Sequence, residues 1–272
     1  MTDEVAPCVF CGGINVLVKD YDARPEGETD FGIEPYQRSL WQCMRCGHVV
    51  NHFGFEQEVT LYEGAYANAT YGNAMRETFD KIMKLPLEQS DNRQRVARVN
   101  AFADLKAWGK GRTCLDIGSG LGVFPAVMRE AGWTCTALDP DPEVTALIAE
   151  LAQVSTVTGD FMMVDPPGAA NLVSFNKVLE HVRKPVSMLA RAVDFLAPGG
   201  AVYVELPDGE AALASVGPDR EEFFVEHFDA YSVASVTLLV RSAGFDTLSV
   251  ERIREASGKY TLCAFAVPAG KR

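Results

Sequence analysis

At 272 residues, 47% hydrophobic and 23% charged, the chain can form one large domain, or one domain plus a small appendage, around a sizeable core. Thirty-seven acidic against 25 basic residues give a formal charge of -12, which argues against nucleic acid or an anionic membrane as partner, since both reward a basic face. No stretch approaches the ~20 uninterrupted apolar residues of a membrane span. The segment MTDEVAPC lacks the basic and apolar regions of a secretory leader, so a cytoplasmic protein is expected.

In chain order, residues 1–60 are loop-rich and contain two C-x-x-C pairs separated by an acidic, Gly/Pro-punctuated insert. This stretch carries ten acids and four bases, half of the net charge. Residues 61–110 read as helical: a helix from Asn73 to Leu85, stopped by Pro86, and a second one capped by Ser90 or Asp91. From Thr113 onward, short apolar strands alternate with helices, as in a parallel sheet covered on both faces. The last two strands, FDTLSVERI and YTLCAFAV, are joined by the short link REASGK. A link that short forces an antiparallel hairpin, because a parallel return needs a crossover of a dozen or more residues. The expected fold is therefore α/β, a doubly wound and mostly parallel sheet ending in an antiparallel hairpin, with a small zinc-ribbon-like lobe before it. The expected divisions are 1–60, 61–110 and 111–272.

Cys8-Val-Phe-Cys11-Gly and Cys43-Met-Arg-Cys46-Gly are two C-x-x-C-G turns. Thiolates at i and i+3 followed by glycine aim two sulfurs at one point, and two such turns make a closed tetrahedral site of the structural-zinc type. Cys8, Cys11, Cys43 and Cys46 are thus the expected ligands of a zinc that holds the lobe together, with no open position for chemistry. His48, just after the second turn, reads as a surface histidine. Cys114, Cys135 and Cys263 read as strand-core residues.

The second motif is Leu115-Asp116-Ile117-Gly118-Ser119-Gly120-Leu121-Gly122. Glycines at a strand-to-helix turn let backbone approach a ligand closely. The spacing is G-x-G-x-G, and a carboxylate precedes the first glycine by two residues, which suits a cationic ligand better than a pyrophosphate. Asp139 closes the next strand, placed to accept from ribose hydroxyls. Asp160 follows the third strand, placed to accept from an exocyclic amine, with Phe161 beside it to cover a purine face. Together these describe an adenosine carrying a charged amino-acid tail.

On these residues the chain, from about 90 to 267, resembles the class I S-adenosylmethionine-dependent methyltransferases. The resemblance implies that Asp116, Gly118, Gly120 and Gly122 border the methionine part of S-adenosylmethionine. It places Asp139 at the ribose, Asp160 and Phe161 at the adenine, and Asn176 beside the bound cofactor.

The acceptor side has two further histidines, each preceded by glutamate: His181 in VLEHV and His227 in EFFVEHF. The first segment looks like the E-x-x-E-H stretch by which some quinone-pathway O-methyltransferases hold a divalent metal, with Lys177 in place of the first glutamate. The second resembles the Y-H-E-H-F loop of bacterial deoxysugar C-methyltransferases, which also carry a four-cysteine zinc lobe and a tyrosine-rich segment. Tyr62, Tyr66 and Tyr71, followed by Met75-Arg76-Glu77, are similar to that segment; Phe224 replaces the loop tyrosine. The resemblance implies that His227 is the general base and that Glu226 orients or polarises it. His181 joins them as a catalytic candidate, although a loop histidine that structures the site explains it somewhat better. Methyl transfer to a small polar acceptor follows, a sugar or nucleotide-linked sugar being favoured, with oxygen or nitrogen ahead of carbon as the methylated atom. Two rivals are an rRNA base methyltransferase with a zinc lobe, using Arg93, Arg95 and Arg98 on one helix, and a non-catalytic zinc-binding scaffold. A solvated helix face explains the arginines about as well. The oligomeric state is left open.

Overall fold

The computed structural model describes residues 6–54 and 75–270. Tyr62, Tyr66, Tyr71 and the expected boundary at residue 60 lie outside the described residues. Among the described residues, no helix is long and apolar enough to cross a membrane.

Seven strands form the main sheet: β4 (Thr113–Ile117), β5 (Thr134–Asp139), β6 (Ser155–Thr158), β7 (Ala170–Asn176), β8 (Leu196–Pro207), β10 (Phe245–Arg254) and β11 (Tyr260–Pro268). Their order is β10-β11-β8-β7-β4-β5-β6. The pairs β6/β5, β5/β4, β4/β7 and β7/β8 are parallel, and β11 pairs antiparallel with both β8 and β10. The expected hairpin ending is met. From β4 the chain winds outward through β5 and β6, then returns to the other side of β4 for β7 and β8. The carboxyl ends of β4 and β7 therefore flank the topological switch point, where open α/β sheets leave a crevice for ligand.

Period-2 alternation sorts each strand between two cores. Leu115, Ile117, Val173, Phe175, Val202 and Val204 face one way, where helices α5 (Pro185–Arg191) and α7 (Val233–Ser242) cover them. Cys114, Cys135, Leu172, Tyr203 and Cys263 face the other way. There α2 (Asp91–Leu105), α3 (Val123–Glu130) and α4 (Pro142–Leu151) pack, joined by α1 (Met75–Met83). The three strand cysteines sit in the core, as expected. Ser90 is the cap of α2, its hydroxyl accepting from the Arg93 N–H.

The N-terminal lobe is built on β1 (Asn15–Tyr21), β2 (Arg38–Cys43) and β3 (Val49–Phe53), an antiparallel meander. It is not a free appendage. A fourth strand, β9 (Asp229–Ala230), comes from the loop between α6 (Gly209–Ser215) and α7 and pairs antiparallel with β3 through Val49↔Ala230 and Val50↔Asp229. Lobe and methyltransferase-like portion thus share a sheet.

Candidate active site

The glycine turn after β4 has the conformation its residues demand. Gly118, Gly120 and Gly122 all have positive φ, at 64°, 51° and 72°. A Cβ on Gly118 would lie 2.9 Å from Val178, and one on Gly122 2.9 Å from Ile148, whereas nothing stands within 4 Å of a Cβ on Gly120. Two glycines let neighbouring elements close in, and the middle one faces open space.

Below that turn, Asp116 is 2% exposed, on the same strand face as Cys114. Its Oδ1 accepts from the Ser174 hydroxyl at 2.7 Å and from the Asn176 amide at 2.8 Å. Burial raises its carboxyl to about 6, partly opposed by hydrogen bonds from Ser174, Ser119 and Asn176. Asn176 Oδ1 is buried with no hydrogen-bond partner among the described residues. A buried carboxylate beside an orphan carbonyl oxygen is a pair of acceptors lacking a cationic donor, which an ammonium group would supply. Ser174 was not singled out from sequence. Its only signal is its place two residues before Asn176, on the same face of β7.

Asp139, raised by burial, accepts Gly120 N–H on one oxygen and Asp141 N–H on the other, both at 3.1 Å. Each carboxylate oxygen retains a second lone pair for a ligand hydroxyl. Asp160 is exposed and accepts the Met162 N–H at 2.8 Å. Phe161 corrects an expectation: its ring is 2% exposed and packs against Phe175 and Phe195, centroids at 5.6 and 4.8 Å. A fully apolar ring gains more in the core than over a purine in open solvent, so the ring serves the core and is not free to cover a purine face.

The chain leaving β7 passes from Asn176 through Val178, which packs on Gly118, to Glu180 and His181. His181 meets His227 there, rings 4.7 Å apart. His181 Nδ1 lies 3.0 Å from the Glu226 carbonyl oxygen, and His227 Nδ1 lies 3.0 Å from that of Glu222. A carbonyl only accepts, so each Nδ1 carries the proton and each Nε2 keeps its lone pair. Burial lowers His181 to about 4 and His227 well below the usual histidine value, leaving both rings neutral near pH 7. The Glu226 main chain orients His181, while the carbonyl that bonds the His227 ring belongs to Glu222. The Glu226 carboxyl is pushed up to about 7 by burial.

Glu180 is fully buried, and neither carboxylate oxygen has a hydrogen-bond partner among the described residues. Burial pushes it up to about 8. Glu180, His181 and His227 each offer a ligand atom within 4.8 Å of the others and could hold a cation. Lys177 turns aside from them, donating to Thr261 Oγ1 at 2.5 Å and lying 3.9 Å from Glu255.

The four knuckle cysteines converge as expected. Cys11 and Cys43 sulfurs are 3.4 Å apart, Cys8 and Cys46 3.6 Å, and all four lie within 4.8 Å of one another. Burial raises the Cys43 thiol, but N–H groups of Cys46 and Arg45 and the neighbouring thiols outweigh it and bring it to about 7. A Cβ on Gly13 would meet Cys43 Sγ at 2.8 Å. Four gathered thiols with backbone donors fit a thiolate-bound zinc. His48 is not on the surface. It is 2% exposed, bonded to Asp229 at 3.0 Å and wedged against Phe10 and Tyr231.

Arg93, Arg95 and Arg98 do not form a solvated basic face. Arg95 is buried 2.5 Å from Glu205 and 3.7 Å from Glu255, and Arg98 lies 3.0 Å from Glu205. Arg93 pairs with Glu130 at 3.2 Å and donates to the Leu85 and Met83 carbonyls. Burial would raise the Glu205 carboxyl, but Arg95, Lys177 and Arg98 hold it well below the usual range. All three are committed to ion pairs within the chain, so this helix does not offer RNA a free basic face.

A family model described as a methyltransferase domain matches residues 76–250. The ubiquinone biosynthesis O-methyltransferase of Pseudomonas paraeruginosa is 30% identical over 115 residues, 39% of this chain and 49% of that relative. The Xanthomonas campestris pv. campestris protein of the same name is 28% identical over 119 residues, 40% of this chain and 50% of the relative. The chain spans about half the length of these curated relatives. Among solved structures, Burkholderia thailandensis 1,6-didemethyltoxoflavin-N1-methyltransferase superposes with a TM-score of 0.57 at 19% identity, covering 90% of this chain and 100% of that one. Magnesium protoporphyrin IX methyltransferase of Synechocystis PCC 6803 gives 0.55 at 16%, covering 73% and 97%. Both were solved with S-adenosylhomocysteine bound. Residues 76–250 take in β4 to β8 and the helices that cover them, so this chain belongs to the methyltransferase domain family and has the class I methyltransferase fold.

Proposed function

We propose that the chain transfers a methyl group from S-adenosylmethionine to a small polar acceptor, with His227 as the proton acceptor. The observation that carries this reading is the buried Asp116 carboxyl beside the unpartnered Asn176 Oδ1 at the switch point, linked by one short segment to the His181–His227 pair. When bound, S-adenosylmethionine supplies a methyl group on a sulfonium leaving group. Asp116 and Asn176 hold the cationic tail, Gly120 gives its backbone room, and Asp139 takes the ribose. Asp160 and the Phe161 main chain border the adenine. The protein's remaining task is to align the acceptor and remove one proton. His227 suits that task, because its Nε2 lone pair is kept free by the bond that Nδ1 makes to Glu222. Zinc on Cys8, Cys11, Cys43 and Cys46 has a structural role in this reading.

The acceptor presents a hydroxyl. A sugar or sugar nucleotide is favoured by the resemblance of residues 222–228 and of the cysteine lobe. The curated relatives, named for O-methylation in ubiquinone biosynthesis, favour a quinone-pathway hydroxyl as the second reading. A screen with methyl-labelled S-adenosylmethionine against nucleotide sugars and phenols separates the two. Transfer to neither class by cofactor-binding protein contradicts the proposed acceptors, and absence of cofactor binding contradicts the enzyme reading itself.

A further inference from the structure

The loop carrying His227 is gripped from the cysteine lobe at alternate residues. Asn51 of β3, buried, donates its side-chain amide to the Phe223 carbonyl at 3.1 Å and to the His227 carbonyl at 2.8 Å. Its main-chain N–H donates to the Phe228 carbonyl at 2.9 Å. Between those points, Val225 N–H donates to Glu28 Oε2 at 2.6 Å. Every second residue of 223–227 therefore turns a main-chain polar group toward the lobe.

The gripping side chains hold one another. Arg38 Nη1 donates to Asn51 Oδ1 at 2.8 Å, which settles the orientation of the Asn51 amide. Arg38 Nη2 lies 3.3 Å from Glu28 Oε2, with both side chains wholly shielded from solvent. Arg38 Nε donates to the Tyr36 hydroxyl at 2.6 Å, and that hydroxyl donates to Glu28 Oε1 at 2.5 Å. The guanidinium lies 3.7 Å from the Tyr21 ring centroid. A buried network whose members satisfy one another has one low-energy arrangement, so it can set the position of what it binds.

From the other side, the loop is tied by Phe228 N–H to the Glu180 carbonyl at 2.8 Å and by the Glu226 carbonyl to His181. Glu222, whose carbonyl fixes the His227 ring, accepts the Tyr260 N–H on its carboxylate at 2.8 Å. His227 is thus clamped between lobe and sheet, and the Asn51 side chain bonds the loop main chain at both Phe223 and His227.

We propose that Asn51 is the positioning residue for His227: through Phe223, His227 and Phe228 it sets the loop so that the imidazole keeps its bond to the Glu222 carbonyl and presents Nε2 to the acceptor. The catalytic meaning of this assignment rests on His227 being the proton acceptor; the positioning itself does not.

The test uses the full chain labelled with 15N-histidine, with the His227 signals assigned by their loss in His227→Ala. In the native protein His227 gives the signature of a single tautomer protonated at Nδ1. Asn51→Ala and Asn51→Asp are expected to lose it, giving tautomer-averaged ring nitrogens. Their dissociation constants for S-adenosylhomocysteine are expected to stay within about twofold of the native value. The aspartate keeps the size and the bond from Arg38 while removing both amide donors, so it carries the test if the alanine variant does not fold. A native His227 tautomer in Asn51→Asp overturns the proposal. Loss of the signature together with undiminished methyl transfer by His227→Ala upholds the positioning and overturns only the base assignment.

Discussion

The imidazoles of His181 and His227 lie 4.7 Å apart, and each is oriented by a carbonyl from the same loop, Glu226 for the first and Glu222 for the second. The loop therefore arranges both rings at once. Its conformation depends on β3 of the lobe as much as on the end of β7. This is the structural reason to expect the lobe to matter for turnover.

Removing the His227 ring should affect the reaction and spare cofactor binding. His227→Ala is expected to reduce turnover about 10²–10⁴-fold, the usual contribution of a positioned base. Calorimetric binding of S-adenosylhomocysteine should be unchanged. Near-native turnover in this variant removes His227 from the mechanism.

Asp116 should show a trade between affinity and stability. Its carboxyl, at about 6 against an ordinary 3.8, takes up a proton on folding in this interval. Its contribution to stability is therefore greatest below about 4 and is lost as pH rises through about 6. Asp116→Asn should raise the thermal midpoint of the ligand-free protein at pH 7.5, by a free energy on the order of 1–3 kcal/mol. The same change should weaken S-adenosylhomocysteine binding. Native affinity should fall as pH drops below about 6, and the variant should lack that dependence. A melting scan and titrations at pH 5.5 and 7.5 check both signs.

Zinc removal should reach beyond the lobe. Since Val49 and Val50 of β3 pair with Ala230 and Asp229, chelation is expected to speed amide exchange in residues 223–230 while β4, β5 and β7 keep their protection. Native mass spectrometry should find one zinc per chain, lost in Cys43→Ser. Metal-free native protein with full protection at 223–230 contradicts the structural role.

The arginines of α2 should report on stability and not on RNA. Arg95→Ala removes one of the two arginines paired with the buried Glu205 and is expected to cost about 3–5 kcal/mol, measured by urea unfolding. Arg76→Ala, at an exposed pair with Glu150, should leave the urea midpoint unchanged.

What could be read along the chain was whatever local spacing encodes. The knuckles, the glycine turn, the alternation of strands and helices after Thr113 and the final hairpin all depend on residues a few positions apart, and the structure places them as expected. What required the structure depends on pairing across long stretches of chain. His48 is buried because Asp229 and Tyr231 come to it, and α2 reads as a solvated face until Glu205 and Glu255 arrive from β8 and the last hairpin. Phe161 follows an aspartate at a strand end, a local pattern that says nothing of Phe175 and Phe195 beneath it. The carbonyl of Glu222 leaves no trace in side-chain identity, so Glu226 was the visible candidate for orienting His227.

The central claim, methyl transfer assisted by His227, is tested most directly by counting methyl groups moved. Zinc-loaded protein and His227→Ala are each incubated with methyl-labelled S-adenosylmethionine and a panel of nucleotide sugars and phenols, and label in the acceptor is measured. The account predicts transfer to a hydroxyl of one class, reduced at least 100-fold in the variant while both proteins bind S-adenosylhomocysteine equally. Equal transfer by the two proteins, or none by the native protein with cofactor bound, contradicts it.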